Sequence, residues 1–295
     1  MKILIVAKQS KYEWEKQKFN LSHDELVKKY SKERANLPAI LESHEKQLHV
    51  REQFKNVMPD STMCFMDQTS YYLNKDEFDL VIVLGGDNSF TYVSHWLTDT
   101  PVLGVNSDPE RSVGCLTRWS INDDSDIFDM VEMLDFNEYD IQDWTRLAAT
   151  IDGKLITSAS NEYFFGERIA NKMSRHVLVH NGKEYEQKCS GILITTGSGS
   201  SGWYNSISGS MAAFDPTFQL GAFIVREPYA PVKDGCYHGE ISLGDELTLY
   251  SLNDDEGHVS VDSWEEFAFT RGSEARICLG NPLRVVIPRG KQDEK

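Results

Sequence analysis

Residues 85 to 88 read Gly-Gly-Asp-Asn and follow directly on the apolar run LVIVL, 80 to 84. Two residues without side chains let a backbone approach a phosphate and turn its N–H groups toward it, and a helix starting just beyond adds a favourable dipole. Asp87 is out of place in a loop that only binds anions. Beside bound phosphates, a carboxylate makes chemical sense when it takes a proton from an attacking hydroxyl or helps to hold Mg²⁺. Taken alone, the four residues suit an ordinary Gly/Asn turn with a helix-capping aspartate slightly better than a site.

Three more clusters carry side chains of the same chemistry. GILITTGSGSSGWYN, 191 to 205, is an apolar run leading into hydroxyls and glycines that can hydrogen-bond phosphate or ribose, closed by Trp203 and Tyr204, which can stack on a base. Asn161-Glu162 pairs an amide with a carboxylate, a combination suited to an adenine edge and a ribose diol, although two residues are no motif by themselves. VNSDPERSVG, 105 to 114, sets Asp108, Glu110 and Arg111 behind a strand, where a turn around Pro109 with a surface ion pair explains them as well as a site does. His176 and His180 share one face of an extended HVLVH segment, but with no third ligand nearby in sequence they read as half-exposed strand residues. The lysines Lys8, Lys11, Lys16 and Lys18 could guide phosphates, and a solvated helix face is the favoured reading.

The elements that must position these clusters change character along the chain. ILIVA (3 to 7), LVIVL (80 to 84) and VLGV (102 to 105) are continuous apolar runs, as in strands buried on both faces of a parallel sheet. The polar stretch from Lys11 to Met58 predicts one or two long helices, with SHDE at 22 to 25 as a capping box. A further helix is expected over Tyr92 to Leu97, completing a βαβ order. From about residue 140, short alternating segments such as TRLAATI, AFIV and LRVVI predict a β-rich second domain. The expected architecture is an α/β N-terminal domain with a doubly wound parallel sheet, residues 1–138, and a β-sandwich-like domain, residues 139–295, whose last stretch is free to return to the first.

Composition narrows the partners. At 295 residues with 40% hydrophobic content the chain has material for two domains, and a net charge of −16 argues against nucleic acid, which needs clustered cations. A protein this acidic must hold phosphates by local devices, such as backbone N–H groups or a divalent cation. Five scattered cysteines without a CxxC fit a reducing cytoplasm, and no run approaches the roughly 18 apolar residues of a membrane span. A soluble, cytoplasmic protein acting on small molecules is expected.

Taken in order, the clusters resemble the NAD kinase family, in which a GGDG loop, an NE pair and a TPTGSTAY-like loop recur. The likeness is closest to the divergent branch that includes the mitochondrial NAD kinases, with a similar KQSKYEWEKQKF start (8 to 19), the VNSDPERSVG stretch, a TGSGSSGW loop ending in Trp203, and the tripeptide Arg226 to Pro228. The resemblance implies ATP-dependent phosphorylation of the adenosine-ribose 2′-hydroxyl of NAD, with Mg²⁺, by a homodimer that binds the dinucleotide in a cleft between its domains. It implies that Asp87 activates the hydroxyl or organises the metal, that Gly85 and Gly86 approach phosphates with Asn88, Ser89 and Phe90 beside them, and that Asn161 and Glu162 hold the adenosine part. Thr196, Gly197, Ser198, Gly199, Ser200, Ser201 and Trp203 would line the dinucleotide site, and Asp262 matches the aspartate of a late VDG-like turn. Departures are Asn88 and Ser263, where the family has glycine, and Ser190, where the commoner bacterial branch has aspartate. Asn tolerates a left-handed backbone, so the first turn is expected to survive. The alternatives are a lipid- or sugar-directed kinase of the same superfamily, or a catalytically silent NAD(P)-binding sensor.

Overall fold

The computed structural model describes residues 1–209, 213–229, 235–254 and 256–290. The chain forms two compact units, Met1–Gln142 joined by the C-terminal stretch from Arg284, and Asp143–Leu283.

The first unit is built on parallel strands β1 (Ile3–Ala7), β2 (Thr62–Phe65), β3 (Leu80–Leu84) and β4 (Val102–Asn106), in the order β2-β1-β3-β4, extended by Leu283–Pro288 and Tyr139–Trp144. Every residue of β1, β3 and β4 is buried, and apart from Gly104 and Asn106 of β4 all of them are apolar, as in strands covered on both faces. The polar stretch before β2 folds as three helices, α1 (Lys11–Phe19), α2 (His23–Lys32) and α3 (Leu37–Val57), where one or two were expected. The breaks have local causes: Asn20 closes α1 in the left-handed conformation (φ 50°), Arg34 takes φ 54° after α2, and Pro38 sits in the first turn of α3. Ser22 and Glu25 form the predicted capping box, and Ser10 and Glu13 form a second one on α1. After α4 (Thr69–Lys75), helix α5 spans Asp87–Ser94 and so starts at Asp87, well before Tyr92. Gly86 is its cap residue and Asp87 its first-turn acid, both favourable at a helix N-terminus.

The second unit is a sandwich of two six-stranded sheets. Its core interleaves alternate residues from both, among them Leu147, Leu249 and Ile277 from one and Phe165, Ile194 and Val259 from the other. The strand Gly191–Thr195 is buried at all five positions because its second face carries Leu193 against Tyr204, contributed by the loop that follows it. His176 is buried here, contrary to the half-exposed reading, and burial pushes its pKa down to about 3. His180 is half-buried, and among the described residues no group of three or more His, Cys, Asp or Glu is placed to hold a metal. The five cysteines are all free, and no described helix is long and apolar enough to cross a membrane.

The turn from Gly257–Val261 to Glu265–Ala268 places Asp262 (φ 47°) and Ser263 (φ 61°) in the left-handed region, closed by the Trp264 N–H donating to the Val261 carbonyl at 2.8 Å. Two left-handed central residues favour Asx-Gly. Ser263→Gly removes a steric cost of about 1–2 kcal/mol, partly offset by the freer unfolded chain, so a net gain of about 0.5–1 kcal/mol is expected in urea unfolding. A loss of stability would mean that the Ser263 side chain has a role that this turn does not reveal.

Candidate functional site

The sheet of the first unit delivers Gly85-Gly86-Asp87 at the carboxyl end of β3. Asp87 does not point freely into solvent: one carboxylate oxygen accepts the Cys115 N–H at 2.9 Å and the other the Leu116 N–H at 2.8 Å. It thereby fastens the end of the VNSDPERSVG loop to the start of α5. The two glycines serve internal packing, since a Cβ on Gly85 would strike the Ser89 side chain and one on Gly86 the Ser112 hydroxyl. Asn88 is exposed and helical, with no positive φ, so the left-handed conformation anticipated for it is not needed. Ser89 and Phe90, expected beside the nucleotide, are buried, and the Phe90 ring packs over Gly104; a helix beginning at Asp87 turns both inward. Asp108 is also buried, accepting from Ser43 at 2.6 Å and Arg111 at 3.2 Å, while Arg111 reaches Glu42 and Glu110 as well.

The second unit gathers three segments far apart in sequence. Asp262 accepts the backbone N–H groups of Ser160 (2.8 Å), Asn161 (2.9 Å) and Glu162 (2.8 Å), while its own N–H donates to the Glu162 carbonyl (3.0 Å). The Thr196 hydroxyl donates to the Ser160 carbonyl at 2.6 Å, and the Thr196 N–H donates to the Asn161 carbonyl at 2.9 Å. The Asn-Glu pair is therefore clamped on one side by Asp262 and on the other by the glycine-serine loop. Gly199 is required by this closeness, since a Cβ there would run into the Asn161 carbonyl. Within the loop, the Thr196 hydroxyl also accepts the Gly199 N–H, and Ser200 Oγ donates to the Gly197 carbonyl at 2.7 Å, so these two hydroxyls brace the turn. Among the described residues the hydroxyls of Ser198 and Ser201 have no hydrogen-bond partner.

Sequence reasoning did not anticipate how Trp203 is seated. Its ring lies 5.1 Å from that of Phe164, and the Arg226 guanidinium sits 4.9 Å from the Trp203 centroid and 5.5 Å from that of Phe164. Trp203 keeps partial exposure, so a planar group could still stack on it. The signals were present separately, in YFF after Asn161-Glu162 and in the tripeptide beginning at Arg226, but nothing in the sequence joins them. Ser190 donates to Glu227 at 2.5 Å.

Asn161 and Glu162 have unusual electrostatics. The Asn161 side-chain oxygen is buried without a hydrogen-bond partner, an acceptor left over for a donor from outside the chain. Burial, and secondarily the Asp262 charge, push the Glu162 carboxyl up to about 8. Well below pH 4.5 the carboxyl is protonated whether folded or unfolded. As pH rises from 4.5 toward 8, the unfolded chain releases the proton and the folded chain keeps it, so this group's support for the fold is progressively lost. Glu162→Gln is therefore expected to raise the unfolding midpoint more at pH 8 than at pH 5, measured by thermal melts. An equal shift at both values would remove ionisation as the cause.

The chain is similar to several proteins named NAD kinase. The chain is 26% identical to NAD kinase 2, mitochondrial, of Rattus norvegicus over 256 residues, which is 70% of this chain and 60% of that protein. It is 29% identical to an NAD kinase of Natronomonas pharaonis over 216 residues, 72% of this chain and 77% of the other. An NAD kinase from Archaeoglobus fulgidus, solved in complex with ATP, shares the fold with a TM-score of 0.65 at 18% identity, covering 99% of this chain and 94% of that one. The chain is similar to NAD kinases in sequence and in fold. No family model matches it. It spans about 60% of the length of its rat relative. The residues singled out in the sequence divide between the units: Asp87 lies in the first, and Asn161, Glu162, Thr196 to Trp203 and Asp262 in the second.

Proposed function

We propose that this protein is an NAD kinase, transferring the γ-phosphoryl group of ATP to the adenosine-ribose 2′-hydroxyl of NAD to give NADP. The observation that carries the reading is the clamped Asn161-Glu162 pair, with a buried unpartnered amide oxygen and a carboxyl withdrawn from water beside the hydroxyl-rich loop. The similarity to NAD kinases supports it.

Asn161 Oδ1 accepts from the exocyclic amine of the adenine, and Glu162 meets the ribose hydroxyls. Ser198 and Ser201 donate to the dinucleotide, and Trp203 offers its open face to a planar ring. Asp87 accepts the proton of the attacking hydroxyl, while its two backbone donors fix the orientation of the carboxylate. Each Asp87 oxygen holds a single backbone hydrogen bond, so lone pairs remain for one Mg²⁺ held chiefly by substrate phosphates; this suits the usual mode of one or two carboxylates plus phosphate oxygens. When bound, Mg²⁺ neutralises charge developing on the transferring phosphoryl group. The protein's part is otherwise positioning, which is most of what phosphoryl transfer demands.

Incubating purified protein with Mg²⁺, NAD or NADH, and a panel of ATP, other nucleotides and polyphosphate tests this, with NADP(H) as the readout. Formation of NADP from ATP is expected. Binding of NAD without turnover would sink the kinase reading in favour of a sensor, and phosphorylation of a different alcohol would redirect it to another kinase of the superfamily. A homodimer in the cytoplasm completes the proposal. The open edges of the sandwich sheets support the first part and the free cysteines the second. Sedimentation of the purified protein checks the dimer.

A further inference from the structure

The strand order sets β1 between β2 and β3. The chain therefore leaves β1 toward one side of the sheet and returns to β3 on the other, which makes the β1/β3 gap the topological switch point of this open parallel sheet. Ligands of such sheets bind beyond the carboxyl ends of the two strands flanking that gap. The residues emerging there are Lys8 from β1 and Gly85-Gly86 from β3.

Lys8 is packed against the glycine turn. Its N–H donates to the Leu84 carbonyl at 2.9 Å, and its Cβ lies 3.3 Å from where a Cβ on Gly85 would stand. The residue is exposed, and among the described residues its ammonium has neither a hydrogen-bond nor an ion-pair partner. The lysines that follow are engaged: Lys11 pairs with Glu15 at 3.2 Å, and the Lys16 and Lys18 ammoniums lie over the Tyr12 and Trp14 rings at 5.9 and 4.2 Å. In a chain of net charge −16, whose overall field repels an incoming phosphate, an unpaired cation beside this turn supplies the local attraction that the rest of the molecule withholds.

We propose that the Lys8 ammonium binds a phosphate oxyanion of a substrate at the β1/β3 switch point, as a further binding residue beside Asp87 for phosphoryl transfer. The inference rests on the NAD kinase reading of the site. Lys8 makes and breaks no covalent bond; it donates charge-assisted hydrogen bonds. Two substrates carry suitable oxyanions, the triphosphate of ATP and the diphosphate of NAD, and separate binding titrations distinguish them.

The test compares wild type with Lys8→Ala and Lys8→Arg, measuring binding of ATP, NAD and inorganic tripolyphosphate one at a time, the melting temperature, and kcat/KM where turnover is present. Lys8→Ala is expected to weaken the substrate whose phosphate it contacts by roughly 10- to 100-fold and to leave the other substrate and the melting temperature unchanged. If that substrate is ATP, tripolyphosphate weakens with it. Lys8→Arg is expected to recover part of the loss, since it keeps the charge with a different geometry. Unchanged affinities in Lys8→Ala overturn the inference, and so does equal weakening of every ligand by both variants. Should the wild type bind tripolyphosphate in a Lys8-dependent way yet make no NADP, the inference stands as a phosphate site and the kinase reading falls.

Discussion

Asp87→Asn is expected to reduce NADP formation by roughly 10²- to 10⁴-fold, the range associated with removing a general base, while NAD binding stays largely intact. The substitution keeps the volume of the side chain and one carbonyl oxygen able to accept from Cys115 or Leu116, so the turn retains part of its anchorage. Its amide nitrogen cannot take a proton from a hydroxyl, and its neutral head has little attraction for a divalent cation. Steady-state assays paired with NAD titration by calorimetry check the outcome. A loss of binding equal to the loss of rate would show that Asp87 only holds the 115–116 segment in place.

The second large effect belongs to Asp262. Asp262→Ala leaves the amides of Ser160, Asn161 and Glu162 without their acceptor, and an orphaned buried donor costs about 1–3 kcal/mol. The three are neighbours and share one partner, so their costs do not add in full. A destabilisation of about 3–5 kcal/mol is expected in urea unfolding, together with weakened NAD binding, because the Asn-Glu pair loses its support. Asp262→Asn, which still accepts through one oxygen, should fall between. If Asp262→Ala unfolds at the wild-type urea concentration, the carboxylate does not clamp this segment in solution.

The parts that could be read from sequence were those fixed by neighbours along the chain. The buried runs at Ile3–Ala7, Leu80–Leu84 and Gly191–Thr195, in which Thr195 is the one polar side chain, were legible because a strand covered on both faces is apolar almost throughout. The Ser22 capping box was legible because its two hydrogen bonds span three residues. Helix breaks at Asn20 and Arg34 were missed, since a left-handed residue at a helix end leaves a weak signal when it is not glycine. The start of α5 was missed because its first turn, Asp87-Asn88-Ser89, is rich in residues that also favour loops. Least legible were the long-range partners. That Asp262 reaches residues 160 to 162, or that Arg226 covers Trp203 and Phe164, depends on how the sandwich brings its strands together, and no local pattern encodes it. Local motifs mark the residues with the chemistry, and the contacts that orient them come from the fold.

The bonds from Cys115 and Leu116 to Asp87 give this chain built-in spectators. An amide proton held by a carboxylate shifts in the NMR spectrum when that carboxylate gains a proton, meets a cation or swings away. Backbone resonances of these two residues would therefore follow the charge on Asp87 through nucleotide addition, with no label placed on the aspartate itself.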